Sequence, residues 1–227
     1  KISEEKIIPS FEERQNFLAI GNLLHAPNVD SVLQLKQLWP EIRKQLPNAE
    51  LHIYGDYAPQ QILQLNNKKD GFIIKGWTEN AETVMESYRV QLAPLRFGAG
   101  LKGKLLDAMR FGLPSVTTNV GAEGLFGSLP FAGKISGSNE DFINSAVKLY
   151  SDENLWKEAQ HHGFQIIKHR FQKALFSEDF KSRIHFISEN LEKHRQQNFF
   201  GQIMQHHSLQ SRKYLSKWIE AKNRNSE

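Results

Sequence analysis

Residues 96–107 read Arg-Phe-Gly-Ala-Gly-Leu-Lys-Gly-Lys-Leu-Leu-Asp, RFGAGLKGKLLD. Gly98, Gly100 and Gly103 spell G-x-G-x-x-G, the dinucleotide fingerprint, while Gly98, Gly103 and Lys104 spell G-x-x-x-x-G-K, the start of a P-loop. The run before them, 90–95 (VQLAPL), predicts a strand, and 103–111, closed by Gly112 and Pro114, predicts a helix. Strand, tight glycine turn and helix form a setting for an anion. A helix N-terminus offers unbonded N–H groups and a partial positive charge, and glycine lets a ligand approach the backbone. Lys102 and Lys104 add cations beside it, which packing alone does not explain.

The residues downstream do not serve the two motifs equally. A P-loop needs Ser or Thr after its Lys to ligate magnesium, and Leu105 stands there. The dinucleotide reading has Glu123 about twenty residues further on, where a ribose-binding acid belongs. That fingerprint normally opens its domain, however, and here several strand–helix units precede it, with Pro94 interrupting the strand. An NAD-dependent oxidoreductase using Gly98, Gly100, Gly103 and Glu123 remains open on the residues alone. So does a non-catalytic nucleotide-binding or scaffold domain.

Outward from the turn the pattern repeats. Strands are predicted at 17–21 (FLAIG), 50–55 (ELHIYG), 71–76 (GFIIKG) and 115–118 (SVTT), and helices at 28–46, 58–65 and 79–88. Pro40 is expected to kink the first helix or end its first half. Short loops between alternating strands and helices imply an α/β, Rossmann-like parallel sheet with helices on both faces. Past residue 137 only helices are expected, at 139–150, 152–169, 173–196 and 200–222. This divides the chain into a linker at 1–16, a nucleotide-binding domain at 17–169 and a C-terminal helical extension at 170–227.

The chain has 227 residues, 39% hydrophobic and 24% charged, a composition that supports a real core. No apolar run is long enough to span a membrane, and no charged-then-apolar start marks a signal peptide. The start at Lys1 rather than Met reads as a fragment. There is no cysteine, which excludes disulfides, thiolate zinc sites and a Cys nucleophile and fits a cytoplasmic protein. The net charge of +4 is uneven: residues 168–227 carry +6 and the rest −2. The front domain therefore lacks the dense cationic face a nucleic-acid partner needs. The basic tail, with its stripe of Phe176, Phe180, Ile184, Ile187 and Leu191, reads as docked on something, an anionic membrane surface being one choice.

A longer stretch, LAPLRFGAGLKGKLLDAMRFGLPSVTTNVGAEGL at 92–125, closely resembles the C-terminal, donor-binding domain of GT-B glycosyltransferases of the family 4 type. FLAIGNLLHAPNVDSV at 17–32 resembles that domain's opening strand, loop and first helix, with ELHIYG and IIKGWTEN in the expected order between, so that the likeness covers 15–165. It implies a nucleotide diphosphate sugar, with UDP or GDP, as donor and a glycan or lipid-linked hydroxyl as acceptor. It further implies a role in polysaccharide biosynthesis, retention of configuration, and no metal or other cofactor. Catalytic residues and part of the cleft would then belong to the protein's own N-terminal domain, onto which the last helices cross back.

Carried over by position, the family's paired acids fall at Ala99, where the first is missing, and at Asp107, which is expected to bind the ribose. Relatives often hold the diphosphate with an Arg and a Lys after the first strand, and the loop Gly21–Asn28 has neither. The diphosphate is then expected on Gly21, Asn22, Gly100, Lys102, Gly103 and Lys104, with Lys104 as the preferred cation. Glu123 is the candidate for a donor-sugar or acceptor contact, and Lys75, Gly76 and Trp77 border the base, although core packing serves Trp77 equally well. His25 is a bystander near the site. The adjacent pairs His161–His162 and His206–His207 lack ligand spacing, so no metal site is expected.

Overall fold

The computed structural model describes residues 8–224, with backbone alone for 205–210 and 223–224. The chain divides into two compact units, one ending at Gln172 and the other beginning at Lys173.

The first unit alternates strands and helices: β1 (Gln15–Ile20), α1 (Ala26–Gln45), β2 (Leu51–Tyr54), α2 (Gln60–Leu63), β3 (Phe72–Gly76), α3 (Ala81–Ser87), β4 (Tyr88–Ala93), α4 (Gly103–Arg110), β5 (Ser115–Thr118), α5 (Asn119–Ala122), β6 (Gly133–Ser136), α6 (Asn139–Ser151) and α7 (Glu153–Ile166). The strands form one parallel sheet in the order β3-β2-β1-β4-β5-β6. The α/β class and the Rossmann-like sheet with helices on both faces are as the sequence implies.

The short apolar runs explain the layers. Successive residues of a strand point to opposite faces. In β1, Phe17 packs with Leu35 and Trp39 of α1 and Ala146 and Leu149 of α6. Its neighbour Leu18 packs with Met85 of α3 and Ala108 of α4. Both are fully buried, as a parallel sheet covered on both sides requires. Arg14, just before β1, is also buried. Its guanidinium donates to the carbonyls of Pro9, Met85, Tyr88 and Phe111 at 2.8–3.4 Å and so ties the chain's entry to the α3–β4 and α4 junctions.

Three expectations need correction. Helix α1 runs through Pro40 without ending. Burial of Leu38, Trp39 and Ile42 around the proline offsets the lost hydrogen bond, and the Trp39 indole N–H donates to the Asp70 carbonyl at 2.6 Å. Strand β6 has no counterpart in the predicted elements, because GKIS offers a single large apolar side chain. Its first residue must be glycine: Gly133 has φ 143° and a Cβ there would lie 1.9 Å from the Ser115 carbonyl oxygen. The single helix expected at 173–196 is two, α8 (Ser177–Glu189) and α9 (Leu191–Gln197), separated at Asn190, whose side chain donates to the Phe186 carbonyl. The second unit ends in α10 (Phe199–Arg224).

Candidate functional site

The strand order reverses direction between β1 and β4, which are neighbours although they are first and fourth in the chain. In an open parallel sheet the loops leaving two such strands diverge and leave a crevice at their carboxyl ends. Here those loops are Gly21–His25 after β1 and Pro94–Lys102 after β4, and each leads into a helix N-terminus. A cleft of about 500 Å³ lies between them, lined by Gly21, Asn22, His25, Asn28, Phe97–Ala99 and Leu101–Lys104 but not by Gly100, a size suited to a small organic ligand.

The walls are built locally. In the β1 loop the Asn22 side chain accepts from Leu24 N–H at 2.8 Å, and the Asn28 amide donates to the Asn22 carbonyl at 2.7 Å. This fixes the start of α1. In the β4 loop Gly98 and Gly100 have φ of 130° and 72°, which favours glycine at both positions. Arg96 grips both carboxylate oxygens of Asp30 on α1, its Nε at 2.9 Å from Oδ2, and clamps the glycine turn to the opposite wall. No side chain caps α4, so its first N–H groups at Gly103 and Lys104 have no acceptor within the helix.

The two lysines do different things. Lys102 is buried, and its ammonium donates to the carbonyls of Gly98 (3.2 Å) and Gly100 (2.7 Å), with Glu123 Oε2 at 3.8 Å. It braces the turn from inside and links it to the loop after β5. Lys104 is half-buried, and its ammonium donates to Asn28 Oδ1 at 2.8 Å across the cleft. That partner is neutral, and burial pushes the Lys104 pKa down to about 8. The cleft thus holds a desolvated cation between two helix N-termini.

The other sequence-derived candidates spread around this centre. Asp107 lies one turn along α4 from Gly103, half-buried, with Arg110 Nη1 at 3.5 Å from its Oδ1. Glu123 is exposed beyond Lys102. Lys75, Gly76 and Trp77 close β3 at the same sheet edge but do not line the cleft; Trp77 is 65% exposed, which removes the core-packing reading. His25 borders the cleft with no hydrogen bond from its ring. His161 and His162 have ring centroids 6.4 Å apart, and the side chains of His206 and His207 lie outside the described residues. Among the described residues no three His, Asp or Glu side chains are grouped to hold a metal ion. Sequence reasoning missed Asn28 and the Arg96–Asp30 clamp. The signal for Asn28 was an amide residue in the first turn of a helix that leaves a glycine loop.

The family model described as glycosyl transferases group 1 matches residues 14–152, from the entry of the sheet to the end of α6. The chain belongs to that family. A curated relative is 26% identical over 175 residues, 73% of this chain and 45% of the other: an uncharacterized 44.6 kDa protein in the cps region of Klebsiella pneumoniae. Among solved structures, TarM of S. aureus, crystallised with UDP, superposes with a TM-score of 0.64 at 15% identity, covering 78% of this chain and 37% of that one. The pneumococcal O-GlcNAc transferase GtfA, crystallised with UDP and GlcNAc, gives 0.63 at 18% identity, with 79% and 38% covered. At such identities the likeness is one of fold, and it is to GT-B glycosyltransferases. This group 1 glycosyl transferase chain spans less than half the length of these relatives.

Proposed function

We propose that this chain is the donor-binding part of a glycosyltransferase that moves a sugar from a nucleoside diphosphate sugar to a hydroxyl of a glycan or lipid-linked acceptor. The observation that carries the reading is the half-buried Lys104 ammonium set between the N-termini of α1 and α4 at the switch point of the sheet. The diphosphate lies against Lys104 and the N–H groups of Gly103 and Lys104, with Gly21, Asn22 and Gly100 as the close backbone walls. Negative charge grows on the diphosphate as the glycosidic bond breaks. A cation and dipoles already in place stabilise that charge without rearranging. Lys102 acts at one remove, by holding the turn. Asp107 accepts from the ribose, Lys75–Trp77 border the base, and Glu123 faces the sugar or the acceptor. The groups that complete the reaction, with retention of configuration, belong to an N-terminal domain of the same protein, and the setting is cytoplasmic. The dinucleotide alternative rests on the glycines and Glu123 alone, and Glu123 stands beside Lys102.

Calorimetric titration with UDP, GDP, ADP and NAD, beside Lys104→Ala and Asp107→Ala chains, tests this. Binding of one nucleoside diphosphate, weakened by both substitutions, is the expected result. Binding of NAD alone would overturn it.

A further inference from the structure

Helix α10 carries an apolar face that donor binding does not use. Phe200, Met204, Leu215 and Trp218 are each more than half exposed. At about 100° per residue these four fall within roughly 60° of one another around the helix. Ile203, Tyr214 and Ile219, also exposed, border the stripe. Arg212 and Lys217 flank it on opposite sides, and the Lys222 ammonium sits 5.3 Å from the centroid of the Trp218 ring. The helix holds five Lys and Arg residues against a single acid, Glu220.

Those charges decide what covers the face. Helix α8 also exposes Phe180, Ile184 and Phe186, but it carries three acids and two bases, as a face meeting protein can. Lysine is depleted from the buried core of protein–protein interfaces. A bilayer surface prefers the α10 pattern: Trp and Tyr at headgroup depth, and Lys and Arg whose stems lie on apolar surface while their charges reach lipid phosphates. Among the described residues no helix is long and apolar enough to cross a membrane, so such a helix lies in the plane of the surface.

We infer that α10 seats the protein on an anionic lipid bilayer, with the Phe200–Trp218 face among the outer acyl segments and Arg212 and Lys217, on its two flanks, among the headgroups. The inference is independent of the donor-site reading and stands or falls apart from it.

The test uses the full chain with phosphatidylcholine vesicles, plain or with about a third phosphatidylglycerol. Trp39 and Trp156 are 1% exposed, whereas Trp77 and Trp218 are 65% and 60% exposed. In a Trp77→Phe chain, then, a blue shift on adding vesicles reports Trp218. The shift and co-flotation are expected with the anionic vesicles. Replacing Arg212 and Lys217 together by Gln should weaken that binding about twenty-five-fold, near fivefold per charge. A Leu215→Asp/Trp218→Asp chain should lose it while keeping its melting temperature and its nucleotide affinity. Absence of flotation with anionic vesicles overturns the inference. So does equal binding to neutral ones, which would remove the role of charge. A dimer that dissolves in the Leu215→Asp/Trp218→Asp chain, without vesicle binding, would assign the face to a second copy instead.

Discussion

Raising the pH from 7 to 9 should weaken nucleoside diphosphate binding about tenfold, through Lys104. In the unliganded cleft its ammonium faces neutral Asn28 and is desolvated, which holds its pKa at about 8. A bound diphosphate supplies the missing counter-charge and returns the pKa toward the ordinary lysine range, above about 10. The sign follows from the two states. Near and below pH 7 both are charged, and Lys104 contributes no slope. As pH rises through 8 the unliganded form loses its proton, the liganded form keeps it, and binding must then draw a proton from solution. The charged fraction of the unliganded form falls from about nine tenths at pH 7 to about one tenth at pH 9, which gives the factor of ten. The phosphate's own second ionisation, at about 6, lies below this window. Titration calorimetry at pH 8 in two buffers of different ionisation enthalpy should register uptake of about half a proton per ligand. Lys104→Met should cost about 2 kcal/mol at pH 7, roughly thirtyfold, and leave binding flat above it. No step between pH 7 and 9 in the wild type, or a step that survives in Lys104→Met, would mean that Lys104 does not meet the diphosphate.

Other substitutions separate the ligand's needs from the fold's. A Cβ on Gly103 meets nothing within 4 Å, so Gly103→Ala should keep the melting temperature yet fill the space a diphosphate enters, lowering affinity about tenfold or more by calorimetry. Asn28→Asp puts a carboxylate on the Lys104 ammonium; the same titration should show weaker binding at pH 7 and a step displaced upward by about one unit or more. Arg14→Met leaves carbonyls at four places without their buried donor and should lower the unfolding free energy in urea by about 3 kcal/mol or more, with little change in nucleotide affinity once folded.

The layers were legible in the sequence because the first four strands carry short apolar runs bounded by turns, and β5 shows as the β-branched Val116-Thr117-Thr118 straight after Gly112 and Pro114. Strand β6 was not, since GKIS is defined by its neighbour β5 rather than by its own side chains. The break at Asn190 was hidden by an apolar stripe that continues through it; a single residue leaving helical geometry changes no hydrophobic spacing. The switch point could not be read either. Which strands become neighbours is settled by long-range pairing, and no local pattern places β1 against β4. The glycine turn was readable as an anion site from its composition. The division of roles between its two lysines was not, because both satisfy the same motif and differ only in where their side chains run.

That division yields the sharpest contrast. Lys102 occupies the residue before α4 with φ −87° and ψ 89°, so its chain leaves the helix and folds under the turn, where it meets two carbonyls. Carbonyl oxygens facing a diphosphate would repel it; held by Lys102, those of Gly98 and Gly100 are neutralised and the N–H groups remain for the ligand. Lys104 begins the first turn of α4 and reaches into the cleft. Lys102→Met should therefore loosen the turn, lowering stability by about 1 kcal/mol for the two hydrogen bonds lost, and weaken nucleotide binding at every pH alike. The pH step should survive in it, still centred at about 8, because the group that titrates is untouched. Lys104→Met should do the reverse, with the fold kept and the step gone. If Lys102→Met abolishes the step instead, the ligand's cation is Lys102, and the braced turn must open when the donor binds.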